Sequence, residues 1–296
     1  MELSSHMITT RFAPSPTGPL HFGSLVAALG SYLDARAHDG SWLLRMEDVD
    51  APRVMPGAAD AILRALEAHG FEWDGEITYQ SRRGAVYRAA LQALQDQGLV
   101  YACACSRKQL AETAKRGIDG YIYRGACRER PPAADAALRL RVPAERIAFD
   151  DRVQGRVACD LARESGDFVL KRADGIYAYQ LAVVADDAEQ GITDIVRGAD
   201  LLTSTPRQIV LQRYLGLPTP RYAHLPVVLD AAGDKLSKQT LAEPIDPQRP
   251  LPALLRALRF LGASDVREVG GLAEFWAQAD AAWPVLIRPL RGRRPA

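Results

Sequence analysis

Residues 8–47 constrain the fold more than any other part of the chain. Ile8-Thr9-Thr10-Arg11-Phe12-Ala13 is short and apolar-rich, and it is stopped by Pro14 and Pro16. Prolines at both positions exclude regular helix and interior strand, so a strand ends near Ala13. Gly18 and Pro19 continue the loop. Gly23 and Ser24 then open a helical pattern, with Leu25, Ala28, Leu29, Tyr32 and Leu33 on one face and Gly40 as its stop. Trp42-Leu43-Leu44-Arg45-Met46-Glu47 reads as the next strand. Strand, helix and strand make one βαβ unit, which predicts a parallel sheet with ligands at the carboxyl ends of its strands.

Helical patterns follow over residues 57–69 and 83–97. Over 101–163 the character changes to cysteines, the Pro131-Pro132 pair and short alternating stretches such as Leu138-Arg139-Leu140-Arg141-Val142, the mark of an insertion in the α/β layer. The α/β character returns with Asp167-Phe168-Val169-Leu170 and the run 179–185. Beyond Thr240, Leu254, Leu255, Leu258 and Leu261 are helix-spaced. The expected division is therefore 1–100 and 166–240 as two halves of one domain, 101–165 as an inserted subdomain, and 241–296 as a short helical C-terminal region. No apolar run approaches the ~18 residues of a membrane span, and the N-terminus lacks a secretory pattern. A cytoplasmic protein with no membrane partner is expected. The net charge of +1 demands no polyanionic partner from the whole-molecule field. The arginines of 291–296 read as a solvated tail.

Two segments carry phosphate chemistry. Leu20-His21-Phe22-Gly23-Ser24 joins the proline loop to a helix start, where free N–H groups and the positive end of the dipole receive polyphosphate. His21 could donate to a phosphate oxygen as charge develops, although a lone histidine before a helix is more often a cap. Lys235-Leu236-Ser237-Lys238-Gln239 follows a turn and can bring two ammonium groups to one polyphosphate.

This His-x-Gly-x helix start and Lys-x-Ser-Lys loop together resemble the HIGH and KMSKS signatures of the class I aminoacyl-tRNA synthetases. Arg11-Phe12-Ala13-Pro14-Ser15-Pro16-Thr17-Gly18 is similar to the opening signature of the glutamyl and glutaminyl branch. Leu44-Arg45-Met46-Glu47-Asp48-Val49-Asp50 is similar to that branch's Arg-Ile-Glu-Asp-Thr-Asp strand end. Tyr179-Gln180-Leu181-Ala182-Val183-Val184, Ile195-Val196-Arg197-Gly198-Ala199-Asp200 and His224-Leu225-Pro226 follow in the same order, so the resemblance runs over about 8–240.

The resemblance implies an α/β, Rossmann-type parallel-sheet catalytic domain with an inserted zinc-bearing subdomain. It implies ATP, with magnesium on its phosphates, held by His21, Gly23, Ser24, Leu236 and Lys238, with His21, Lys235, Ser237 and Lys238 serving catalysis. It implies a glutamate pocket lined by Arg11, Phe12, Ala13, Pro14, Ser15, Glu47, Tyr179 and Arg197, with Glu47 on the α-ammonium. Arginine's forked donors suit the substrate carboxylate. The reaction implied is in-line attack of the glutamate α-carboxylate on the α-phosphorus of ATP; the carboxylate is already ionised, so positioning and charge stabilisation carry the step. One departure is Tyr179-Gln180-Leu181, where the branch usually has Tyr-Asn-Phe.

The segment 239–296 is too short for the anticodon-binding region of a full-length member. The shortened layout and the cysteines resemble a truncated group within this branch, whose members activate glutamate without tRNA. They attach it to queuosine at the wobble position of tRNA(Asp), met through the anticodon loop. The alternatives are a short form charging a tRNA 3′ end, another His-x-Gly-x nucleotidylyltransferase such as a pantothenate-synthetase-type ligase, and a catalytically silent binding protein. The second of these offers no counterpart for the Arg11–Gly18 loop combined with Lys235–Gln239. A monomer is favoured. Of the four cysteines, Cys103, Cys105 and Cys127 suit tetrahedral zinc, and the resemblance implies Tyr123 as the fourth ligand of a structural site. The competing reading is reduced thiols in a packed turn, as expected for Cys159.

Overall fold

The computed structural model describes residues 7–117, 120–130, 135–229 and 243–287. Strand β1 (Thr9–Phe12) runs parallel to β2 (Ser41–Met46), and helix α1 (Phe22–Arg36) makes the crossover that the βαβ reading requires. The proline loop after β1 is pinned across the end of β2. The Glu47 amide donates to the Pro14 carbonyl and the Met55 amide to the Pro16 carbonyl, each at 2.9 Å. Helix α2 (Ala58–Ala68) leads to β3 (Thr78–Tyr79), which adds parallel to β2, and α3 (Gly84–Asp96) leaves this half.

Strand β4 (Val100–Cys103) opens the cysteine region, followed by α4 (Arg107–Thr113) and the small hairpin β5 (Arg116–Gly117) and β6 (Gly120–Tyr121). Strand β7 (Ala137–Leu140) pairs antiparallel with β4. The hairpin β8 (Arg146–Asp151) and β9 (Gly155–Asp160) is followed by α5 (Leu161–Glu164) and by β10 (Val169–Lys171), which returns antiparallel to β7. The run 179–185 lies in helix α6 (Tyr179–Glu189), and residues 180–187 are buried throughout. An apolar run buried on all sides carries no period from which to tell helix from strand.

Strand β11 (Asp194–Gly198), helix α7 (Thr205–Tyr214) and strand β12 (Arg221–Leu225) form a second parallel crossover. The β8–β9 hairpin extends this sheet, because Asp151 pairs in parallel with Tyr222. The two parallel groups meet where the Thr193 amide donates to the Thr9 carbonyl at 2.9 Å, so β1 and β11 lie side by side. Strand order then runs β3-β2-β1 on one side and β11-β12 on the other. The direction of winding reverses between β1 and β11, the position where open α/β sheets hold ligands beyond their strand ends.

Helices α8 (Pro250–Phe260) and α9 (Leu272–Leu286) close the described chain. They pack on α1, and together with the sheet they bury that helix on nearly every side: Ser31 and Asp34 are buried as well as the expected apolar stripe. Asp34 is tolerated there because Arg152 donates to both its oxygens, at 2.6 and 2.7 Å, and the Trp283 indole donates at 3.1 Å. No helix among the described residues is long and apolar enough to cross a membrane.

Candidate active site

A cavity of about 630 Å³ opens at the β1/β11 switch point. The expected residues Arg11, Phe12, Ala13, Pro14, Ser15, His21, Gly23, Ser24, Glu47, Tyr179 and Arg197 all line it. Five separate stretches of chain supply them, and the parallel sheet brings those stretches to one end. His21 is the N-cap of α1; its ring accepts from the Ser24 amide at 3.3 Å, so it is a cap and a cavity residue at once. Lys235, Leu236, Ser237 and Lys238 lie outside the described residues. The chain on either side of them is held at the cavity: Val228 lines it, and Pro244 pairs with His21 in an isolated bridge.

The two expected arginines have different surroundings. Arg11 is buried and its guanidinium meets Asp187 of α6, Nε to Oδ1 at 2.9 Å. Asp187 is shared with Arg45 at 2.9 Å, and Arg45 lies 3.5 Å from Glu47. Burial opposes ionisation of Asp187, but Arg11 and Arg45 outweigh it and hold its pKa below the ordinary carboxylate range. Glu47 goes the other way: burial raises its pKa, and Arg45 and Arg11 recover only part of the loss. Burial, with Glu47 nearby, also raises the pKa of Tyr179.

Arg197 has neutral partners only. Its Nε donates to His224 Nε2 at 3.0 Å, and its Nη2 donates to Thr205 Oγ1 at 2.9 Å and Gln208 Oε1 at 2.8 Å. Its Nη1 is buried and finds no acceptor among the described residues. Gln208 is steadied in turn by Gln180, whose Oε1 accepts from Gln208 at 3.0 Å. The sequence departure at Gln180 therefore sits behind Arg197, in the chain of hydrogen bonds that holds it.

A second cavity, of about 770 Å³, adjoins the first and shares Ser15, Thr17, Glu47 and Tyr179 with it. Arg139, Arg172 and Tyr177 line the second cavity and not the first, and Cys105 reaches it from the cysteine region. There the ligand atoms of Cys103, Cys105 and Cys127 all lie within 4.8 Å of one another. The Tyr123 hydroxyl is 3.6 Å from Cys105 Sγ, and Arg139 stacks over the Tyr123 ring at 4.3 Å. Three sulfurs and a phenol oxygen at these separations fit one tetrahedral ion.

Sequence reasoning missed Asp187, its neighbour Asp186, which lies 3.8 Å from Arg45, and Asp151, whose Oδ2 is 2.6 Å from His224 Nδ1. The two acids at the end of α6 carried a signal, an adjacent pair closing an apolar run. Asp151 carried none, because its partner His224 is distant in sequence.

Residues 7–268 match the family described as tRNA synthetases class I (E and Q), catalytic domain. The chain is 58% identical over 283 residues to the glutamyl-Q tRNA(Asp) synthetase of Chromobacterium violaceum, covering 95% of both chains. It is 60% identical over 279 residues to that of Dechloromonas aromatica, covering 92% of this chain and 93% of the relative. Among solved structures, the glutamate-tRNA synthetase of Elizabethkingia anophelis superposes with a TM-score of 0.74 at 26% identity. That superposition covers 91% of this chain and 65% of the synthetase. The chain belongs to the class I tRNA synthetases of the E and Q type, within the group of the glutamyl-Q tRNA(Asp) synthetases.

Proposed function

We propose that the protein activates glutamate with ATP, without tRNA, and transfers it to queuosine at the wobble position of tRNA(Asp). The observation that supports the amino-acid side most is Arg197, a buried cation on the cavity wall with no carboxylate partner among the described residues and one donor left over. An unpaired buried donor is costly, and a ligand carboxylate is the acceptor that would satisfy it best. Glu47 would receive the α-ammonium, whose charge favours the ionised carboxylate that burial alone disfavours. Tyr179 would close the pocket wall.

ATP, with magnesium on its phosphates, would lie at the α1 N-terminus, where Gly23 and Ser24 line the cavity and the helix dipole favours anions. His21 and Lys238 would stabilise charge on the transferring phosphate, with Lys235 and Ser237 supporting and Leu236 beside the nucleotide. The adenylate's carbonyl would then face the shared wall of the two cavities, and the neighbouring cavity would admit the acceptor base. Cys103, Cys105, Cys127 and Tyr123 would hold a zinc ion that ties β4 to the turn around Cys127 and takes no part in the reaction.

The test is transfer of labelled glutamate to tRNA(Asp) with and without queuosine, after glutamate-dependent pyrophosphate exchange has been measured without tRNA. Label on the queuosine-containing tRNA only is the expected result. Label on tRNA(Glu), lost when its 3′ end is removed, would instead identify a short form of the charging enzyme. The names of the relatives favour the first outcome.

A further inference from the structure

Arg197 owes its unneutralised charge to the group that holds its Nε. Arginine donates at every nitrogen and accepts at none. The 3.0 Å bond from Arg197 Nε therefore requires a lone pair on His224 Nε2, which puts the ring proton on Nδ1. That proton lies on Asp151 Oδ2 at 2.6 Å. Asp151 and His224 are almost completely buried, so water does not compete for either bond. The other oxygen of Asp151 is occupied by backbone: it accepts from the amides of Val153, Gln154 and His224 at 3.0, 2.9 and 3.1 Å. The carboxylate is thus fixed in place by the β8 end and the β12 strand before it meets the imidazole.

We propose that Asp151 and His224 are positioning residues for substrate selection, holding the imidazole as its Nδ1–H tautomer so that a neutral acceptor, not a carboxylate, orients Arg197. The consequence is visible in the contrast with Arg11. Asp187 neutralises Arg11 directly, whereas the negative charge of Asp151 is kept one ring away from Arg197. The guanidinium keeps its orientation and its full attraction for an acid side chain, whereas an amide side chain offers only a neutral acceptor and gains less from it. The inference rests on the glutamate reading above for the identity of the ligand, but the tautomer stands on geometry alone.

Asp151→Asn tests it with little disturbance of the fold. The amide oxygen can keep the three backbone donors, and the amide nitrogen then faces Nδ1 and demands a lone pair there. That moves the ring proton to Nε2, against Arg197 Nε–H. The KM for glutamate in pyrophosphate exchange should rise roughly tenfold or more, with the KM for ATP unchanged and the preference for glutamate over glutamine reduced.

The 15N shifts of the His224 ring should show Nδ1 protonated in the wild-type protein and Nε2 protonated in the variant. A wild-type ring protonated at Nε2, or at both nitrogens at neutral pH, would overturn the inference. So would an Asp151→Asn enzyme with the reversed tautomer and unchanged glutamate KM. Wild-type protein without any glutamate-dependent exchange would instead sink the glutamate reading, a failure distinguishable because the ring shifts would still report the predicted tautomer.

Discussion

Charged partners outweigh burial at Asp187, but burial dominates at the two fully buried histidines. Burial lowers the pKa of both His224 and His69 below the ordinary 6.5; Asp151 offsets part of the effect at His224, and the Ala65 carbonyl part of it at His69. The unfolded chain takes up protons near that value and the folded chain refuses them. Stability is therefore complete above about pH 6.5 and falls as pH drops below it. Urea midpoints between pH 7.5 and 5.5 should decline in the wild type and decline less in His224→Gln; equal slopes would mean that His224 does not titrate in this window. Arg11→Ala should impair glutamate use at least tenfold, read as glutamate KM, although part of that loss will come from leaving Asp187 with Arg45 alone. Lys238→Ala should lower adenylate formation by two orders of magnitude or more with the fold intact, and wild-type exchange rates would remove its assigned role. At this scale the sequence was highly informative where a residue meets the cavity: Arg11, Glu47, Tyr179 and Arg197 stand in recognisable local strings. It was silent on Asp151, whose importance arises only when β8 is laid against β12.

The elements were legible in proportion to how one-sided they are. The βαβ start and helices α2 and α3 could be read because proline, glycine and a clear apolar period bound them. Helix α6 could not be told from a strand, because it is buried on all sides. The β8–β9 hairpin sits in the stretch whose cysteines and prolines mark an insertion, yet it pairs with the parallel sheet through Asp151 and Tyr222. One turn in the cysteine region has a sharp requirement. Gly166 has φ +71°, and a Cβ there would lie 2.3 Å from the Tyr123 carbonyl oxygen, which is backbone and cannot swing aside. Gly166→Ala should cost ~2 kcal/mol or more and should lower the zinc content of the purified protein. Gly191, at φ +65° with open space around its missing Cβ, is the control; its alanine variant should cost only about 1 kcal/mol and keep the metal. Equal effects at the two positions would show that the close approach to Tyr123 does not matter.

Across the whole molecule, the C-terminal helices are tied to the catalytic sheet by a buried polar junction. Asp34 of α1 receives Arg152 from the β8–β9 turn and Trp283 from α9, and Arg152 also lies 3.4 Å from Asp194 at the start of β11. Arg152→Ala would leave two fully buried carboxylates with fewer donors and should destabilise the protein by about 3 kcal/mol, measured by urea unfolding; a loss below about 1 kcal/mol would mean that water replaces the guanidinium. The two cavities bear on the enzyme's design in a different way. Ser15, Thr17, Glu47 and Tyr179 belong to both walls, so on the proposed assignment of the second cavity to the acceptor base a change at any of them would also disturb the amino-acid donor. Arg172 and Tyr177 line the second cavity alone, so a library aimed at new nucleobases is better built there than at Arg139, which also donates to the Asp167 carbonyl and stacks on Tyr123.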